Sequence, residues 1–237
     1  MARGVPLNRA LSKLGILSRA AATDAIQAGR VSVDGNTVRD PALLVVPERV
    51  RIRVDGETRA KSPWRAILLH KPSGVVTTTR DPEGRRTVFD VIGDDAEGLV
   101  AVGRLDRATT GLLILTNDTQ LANRLTDPRT GVPRVYVVTV RGELTATAAE
   151  AMERGVMSRG ERLQAASVDI RKTSSRETHL VIELREGKNR EVRRLCEALG
   201  HEVTRLKRVR FGGLEIGDLE PGQWRPLTRQ EVRRAFG

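Results

Sequence analysis

The run Gly103-Arg104-Leu105-Asp106-Arg107-Ala108-Thr109-Thr110-Gly111-Leu112-Leu113-Ile114-Leu115-Thr116-Asn117-Asp118 sets one carboxylate between two arginines, just ahead of the most apolar strand-like segment of the chain. Gly111 to Thr116 reads as a buried strand. Asp106 is therefore expected at the lip of that strand, where cations keep a buried acid ionised and the strand holds it still. Alone, an aspartate after a strand is more often a turn former or an ion-pair partner. Here Gly103, Thr109 and Gly111 imply a tight loop supported by hydroxyls, and such loops fix a side chain for general acid/base or nucleophilic work.

Outward from this run, strands dominate: Ala66 to Leu69, Gly74 to Thr78, Leu99 to Val102, Arg134 to Val140, Ser167 to Arg171, His179 to Leu184 and Val203 to Val209. Helices are expected at Thr119 to Thr126, Thr145 to Arg154, Arg190 to Leu199 and Arg229 to Phe236. Asn117 or Asp118 can cap the first, and Thr228 with Glu231 forms a capping box for the last. Before residue 60 the pattern changes. Leu7, Leu11 and Leu14, then Ala21, Ala25 and Ile26, recur at helical spacing, with Ser18 as N-cap and Gly29 as stop for the second helix. Val31 to Val33 and Val50 to Val54 follow as short strands with Asp34-Gly35 and Asp55-Gly56 turns. The fold class is thus α+β: a small basic α/β module over residues 1–60, a polar linker from Gly56 to Pro63, and a mainly antiparallel-sheet domain over residues 64–237.

The 237 residues carry 41 basic and 30 acidic side chains, a net charge of +11, which favours a polyanionic partner such as nucleic acid. Six of the basic residues are lysine, so clusters mean more than totals. A single cysteine, Cys196, excludes an internal disulfide and fits a reducing compartment. His70, His179 and His201 lack metal-ligand spacing, and neither a metal nor a cofactor is expected. The longest aliphatic runs, such as Ala42 to Val46, fall short of a signal or spanning segment, so a cytoplasmic protein with no membrane partner is expected; a monomer is also expected.

Val192, Leu195, Cys196 and Leu199 form a helical stripe that leaves Arg190, Arg194 and Glu197 nearer solvent, while Arg193 borders the stripe and could reach a carboxylate. Tyr136, the only tyrosine, shares a strand face with Val138; core packing is its default role, and a platform for a base is the alternative. Basic residues expected to face phosphates are Arg9, Lys13, Arg19 and Arg30 in the small module, and Arg104, Lys188, Arg190, Arg194, Lys207 and Arg208 in the larger domain.

These residues resemble the ribosomal RNA pseudouridine synthases that carry an amino-terminal S-four-type RNA-binding domain. Gly103-Arg104-Leu105-Asp106 with Thr109, Gly111 and Leu112 to Asp118 is similar to that family's catalytic signature. Arg134-Val135-Tyr136 resembles its basic-x-Tyr element, and Glu186 to Arg194 resembles its third motif. Leu7 to Asp55 looks like the S-four module, and His70-Lys71-Pro72-Ser73-Gly74 and Gly222 to Leu227 are further similarities. Thr119, Arg134 and Glu191 depart from the family's usual glycine, lysine and glutamine. The resemblance implies that Asp106 is catalytic, that Tyr136 packs on the target base, and that Arg193 pairs with Asp106. It implies conversion of uridine to pseudouridine in ribosomal RNA or an assembly intermediate, more in keeping with the large-subunit (23S) branch than the small-subunit (16S) branch, without cofactor. A noncatalytic RNA-binding assembly factor is the competing reading; a methyltransferase would need a glycine-rich cofactor loop that the chain lacks.

Overall fold

Leu7, Ala10 and Leu11 on one helix and Ala22, Ala25 and Ile26 on the next are fully buried, with Leu14 half-buried beside them, so the expected spacing marks the packing seam of the amino-terminal module except that Ala22 takes the place of the half-buried Ala21. The computed structural model describes residues 4–47, 49–57 and 63–237, so residues 58–62 of the expected linker lie outside it. The module runs β1 (Val5–Pro6), α1 (Leu7–Lys13), α2 (Arg19–Gln27), β2 (Val31–Val33), β3 (Asn36–Val38), β4 (Leu44–Val45) and β5 (Ile52–Val54). Ser18 caps α2 by accepting the Ala21 N–H at 3.2 Å. Strands β3, β2 and β5 form an antiparallel sheet, and β1 pairs with β4. Val31, Val45, Ile52 and Val54 complete the core against the two helices.

The rest of the chain contains β6 (Ala66–Lys71), α3 (Val88–Ile92), β7 (Val100–Ala101), β8 (Thr110–Thr116), α4 (Thr119–Thr126), β9 (Arg134–Arg141) and α5 (Ala146–Arg154). There follow β10 (Val156–Ser158), β11 (Glu161–Leu163), β12 (Ser167–Thr173), β13 (Glu177–Leu184), α6 (Glu191–Ala198), β14 (Val203–Phe211), β15 (Leu214–Glu215), β16 (Trp224–Pro226) and α7 (Arg229–Phe236). One large sheet takes the order β12-β13-β9-β14-β8-β6-β16, with β15 beside β14 and β7 beside β8. Its pairings around β9 are antiparallel, while β14 and β8 run parallel through Lys207 opposite Thr110 and Arg208 opposite Gly111. The fold is α+β and dominated by this sheet. Contacts divide the chain into two compact units, one reaching Ala66 and taking in Glu97–Val100 and Thr116–Ala122, the other comprising Ile67–Ala96, Ala101–Leu115 and Asn123–Gly237.

Gly111 is required where β8 meets β14. Its φ is +109°, and a Cβ there would stand 2.2 Å from the Arg208 carbonyl oxygen and 2.6 Å from its nitrogen. Gly74 to Thr78, expected as a strand, contributes only a single bridge from Val76 to Thr87. Its polar groups are used elsewhere, as described next.

Candidate active site

Asp106 sits in the loop that leads into β8, and that loop is held from below by the segment after β6. Lys71, with no exposed surface, donates from Nζ to the carbonyls of Thr109 (2.9 Å), Pro72 (3.0 Å) and Arg107 (3.3 Å). The Gly74 N–H donates to the Arg107 carbonyl at 2.9 Å. The Thr77 hydroxyl donates to the Leu105 carbonyl at 2.9 Å and accepts from the Leu105 N–H at 3.3 Å. The Thr109 N–H closes the turn onto the Asp106 carbonyl at 2.9 Å. Burial pushes the Lys71 ammonium down to about 8, with the negative charge of Asp106 opposing that shift. The sequence reading quoted Lys71 only within the similarity His70 to Gly74, without a role, and did not single out Thr77, although a lysine closing the apolar run Ala66 to Leu69 signals an interior need.

The Asp106 side chain is 36% exposed, which corrects the expectation of a buried carboxylate. It opens onto a cavity of about 70 Å³, whose walls include Tyr136 from β9, Leu184 from β13, Leu206 from β14, and Lys188, Arg190 and Glu191 around the start of α6. Asp106 and Tyr136 thus face one cleft. Tyr136 is 8% exposed, so it packs in the sheet while presenting part of its surface to the cavity.

The arginine beside Asp106 is Arg190, whose Nη1 lies 3.8 Å from Oδ2. Arg193, expected to make that pair, makes no ion pair with Asp106 within 4 Å; its Nη1 donates to the Val203 carbonyl at 2.8 Å. Arg193 turns toward β14, whereas Arg190 adopts the left-handed conformation (φ 49°, ψ 33°) immediately before α6. Arg193 still feels the loop: burial and the Arg190 charge lower its pKa, and Asp106 raises it.

Two further expectations are corrected. Arg194 is 7% exposed, with Nη1 2.8 Å from Glu161 and Nη2 donating to the Ser158 carbonyl at 2.8 Å. The β10–β11 hairpin covers that side of α6, so the residue is not a surface RNA contact. Arg208 is 3% exposed, donates from Nε to the Leu112 carbonyl at 2.8 Å, and lies 5.0 Å from the centre of the Phe211 ring. It clamps β14 to β8 rather than meeting RNA. Arg9, Lys13, Arg19 and Arg104 are exposed, Lys207 is half-buried, and Lys188 is half-buried against Glu186 at 2.7 Å. Arg30 is exposed but paired with Asp55 at 3.2 Å. The sequence reading missed Arg49, Arg51 and Arg53. They are exposed around a concavity beside Asp34, because strand alternation sends Ile52 and Val54 into the core and Arg51 and Arg53 outward.

Cys196 is fully buried and its thiol is pushed up to about 12 by burial, in keeping with core packing. Among the described residues no three His, Cys, Asp or Glu side chains are grouped to hold a metal ion, and no helix is long and apolar enough to cross a membrane.

An aspartate facing a tyrosine across a cleft of this sheet, in a chain that also carries a basic helix-strand module, suits an enzyme that acts on RNA bases. Residues 65–198 match the RNA pseudouridylate synthase family and residues 5–50 match the S4 domain. The chain is 38% identical over 233 residues to an uncharacterized RNA pseudouridine synthase of Aquifex aeolicus, covering 98% of this chain and 94% of that protein. It is 34% identical over 230 residues to ribosomal large subunit pseudouridine synthase B of Bacillus subtilis, covering 96% and 94% of the two chains. The protein of that name from Pseudomonas aeruginosa is 40% identical over 245 residues, 97% of this chain and 61% of the other. A crystal structure of a pseudouridylate synthase superposes with a TM-score of 0.69 at 28% identity, covering 98% of this chain and 99% of that one. The chain belongs to the RNA pseudouridylate synthase family and is a pseudouridine synthase with an amino-terminal S4 domain.

Proposed function

We propose that this enzyme isomerises a specific uridine of large-subunit ribosomal RNA, with Asp106 as the catalytic group. The observation that carries this reading is the single cleft shared by Asp106 and Tyr136, on a loop clamped by Lys71, Gly74 and Thr77. The large-subunit target is supported by the names of the relatives in Bacillus subtilis and Pseudomonas aeruginosa.

The isomerisation is redox neutral. The N1–C1′ bond breaks, the freed uracil turns, and a C5–C1′ bond forms; one proton leaves C5 and one arrives at N1. A uridine in structured RNA must first be extruded, at a cost of a few kcal/mol, which stacking and backbone contacts offset. Tyr136 supplies the stacking surface. Asp106 must be an anion when it acts, and the Arg190 guanidinium lies 3.8 Å from it. Exposed Arg9, Lys13 and Arg19, with the Arg49, Arg51 and Arg53 face, hold phosphates without reading sequence. We place the protein in the cytoplasm, acting as a monomer on ribosomal RNA or an assembly intermediate.

The test is release of tritium from C5-labelled uridine in large- and small-subunit rRNA, naked and as assembly intermediates. Release from large-subunit rRNA by the wild type, and none by Asp106→Asn, is expected. Release confined to small-subunit rRNA would overturn the target, and release by Asp106→Asn would overturn the role of the aspartate.

A further inference from the structure

Glu191 is 3% exposed, yet no cation lies within salt-bridge distance of it among the described residues. Its Oε2 accepts the Lys188 N–H at 3.0 Å, and its own N–H donates to the Lys188 carbonyl at 3.3 Å, so residues 188–191 form a turn closed at both ends. Its Oε1 is buried without a donor. Lys188 ties it to a second carboxyl, its backbone N–H bound to Glu191 and its ammonium to Glu186, and two neighbouring carboxyls can share a hydrogen bond only if one of them holds a proton.

The charges around the pair settle which carboxyl holds it. The Lys188 ammonium lies 2.7 Å from Glu186 Oε1 and also 3.8 Å from Glu161, whose other oxygen is paired with Arg194. From β9, Arg134 contributes a distant positive charge, but its guanidinium donates to the Val132 and Leu125 carbonyls. Glu186 therefore has a cation in contact and Glu191 has none. An unpaired buried carboxylate is costly enough that such a group neutralises instead.

We propose that Glu191 is a neutral acid sharing its proton with Glu186, and that this pair is a positioning device that seats the 188–191 turn and so sets Arg190 beside Asp106. The turn dictates the left-handed conformation of Arg190, and that conformation is what lets its guanidinium reach the catalytic loop. Loss of the proton places two anions against each other and a third negative charge in a cleft that already holds Asp106. Burial and Glu186 push the Glu191 carboxyl up to about 8, so the device is intact at neutral pH and fails above it. The positioning half rests on the pseudouridine synthase reading of the cleft; the protonation half does not.

Two measurements on the full-length chain test the two halves. In protein labelled with 13C at the glutamate δ carbon, the Glu191 signal, assigned by its loss in Glu191→Gln, should titrate near pH 8. In Glu186→Gln, which removes the neighbouring anion, it should titrate lower. A midpoint in the ordinary carboxylate range in the wild type overturns the proposal, whether or not the protein modifies any rRNA tested. In kinetics, the ratio of activity at pH 9 to that at pH 7 should be about threefold smaller for wild type than for Glu191→Gln, whose amide accepts from Lys188 and donates to Glu186 at any pH. Lys71 also titrates near pH 8, but it is present in both proteins and cancels from the comparison. Equal ratios overturn the positioning role, even with the titration as expected.

Discussion

Replacing Lys71 with methionine separates two things that this residue does. Its ammonium is buried with no exposed surface, and its pKa falls from 10.5 to about 8, a shift equivalent to about 3 kcal/mol. Below pH 8 both the folded and the unfolded chain carry the charge, and the folded chain bears the whole cost of burying it. As the pH rises from 8 to 10.5 the unfolded chain still holds the proton that the folded chain has lost, so stability climbs with pH across that window. The unfolding free energy of the wild type, measured in urea by circular dichroism, should therefore gain about 3 kcal/mol on that of Lys71→Met between pH 7 and pH 10.5. Methionine has no donor for the carbonyls of Thr109, Pro72 and Arg107. The loop that carries Asp106 should lose its floor, and single-turnover pseudouridine formation at pH 7 should fall by about tenfold or more, since a small misplacement of a catalytic group is enough for that. A stability difference that stays flat from pH 7 to 10.5, or full turnover in a folded Lys71→Met protein, would refute the reasoning.

Gly111→Ala should lower stability by about 3 kcal/mol or more, read as a fall in Tm, because its Cβ cannot coexist with the Arg208 backbone at 2.2 Å. Arg190→Ala should reduce kcat by about fivefold at most, since a half-exposed pair at 3.8 Å contributes no more than about 1 kcal/mol, and high salt should mimic it. Arg193→Ala should lower the unfolding free energy by about 1 kcal/mol, because the Val203 carbonyl loses its donor at 2.8 Å, and an unchanged urea midpoint would count against it. Replacing Arg49, Arg51 and Arg53 together by glutamine should reduce the salt slope of rRNA binding by about 2 and raise KM with little change in kcat, and an unaltered slope would show that this face does not meet phosphate.

Long periodic segments were legible in the sequence. Helices α4 and α7 occupy the expected residues, and Asp118 caps α4 by accepting the Leu121 N–H at 3.0 Å, while Thr228 and Glu231 form the expected capping box. The stripe Val192, Leu195 and Cys196 is buried as expected. What the sequence hid was structure made by tertiary demand. Gly74 to Thr78 has strand-like composition, but its N–H and hydroxyl groups bind the Asp106 loop, and that requirement outweighs ladder formation. The β10–β11 hairpin turns on Arg159-Gly160, both with positive φ, and an arginine gives no Asn-Gly or Asp-Gly signal. With the hairpin unseen, Arg194 had no visible reason to be buried.

The same distinction explains why the acid was found from sequence and its neighbours were not. Asp106 lies in a loop whose glycines and strand context are local, so nearest-neighbour reasoning reaches it. Its surroundings come from three distant segments, the end of β6, the β9–β14 face and the turn before α6, and which arginine meets it depends on one backbone conformation at residue 190. Arg190 takes a left-handed step immediately before α6, and its guanidinium, not that of Arg193, stands 3.8 Å from Asp106. In this enzyme the assignment of the aspartate's partner is therefore made by the closure of the 188–191 turn rather than by helix periodicity, and a change to that closure should disturb catalysis without touching Asp106 at all.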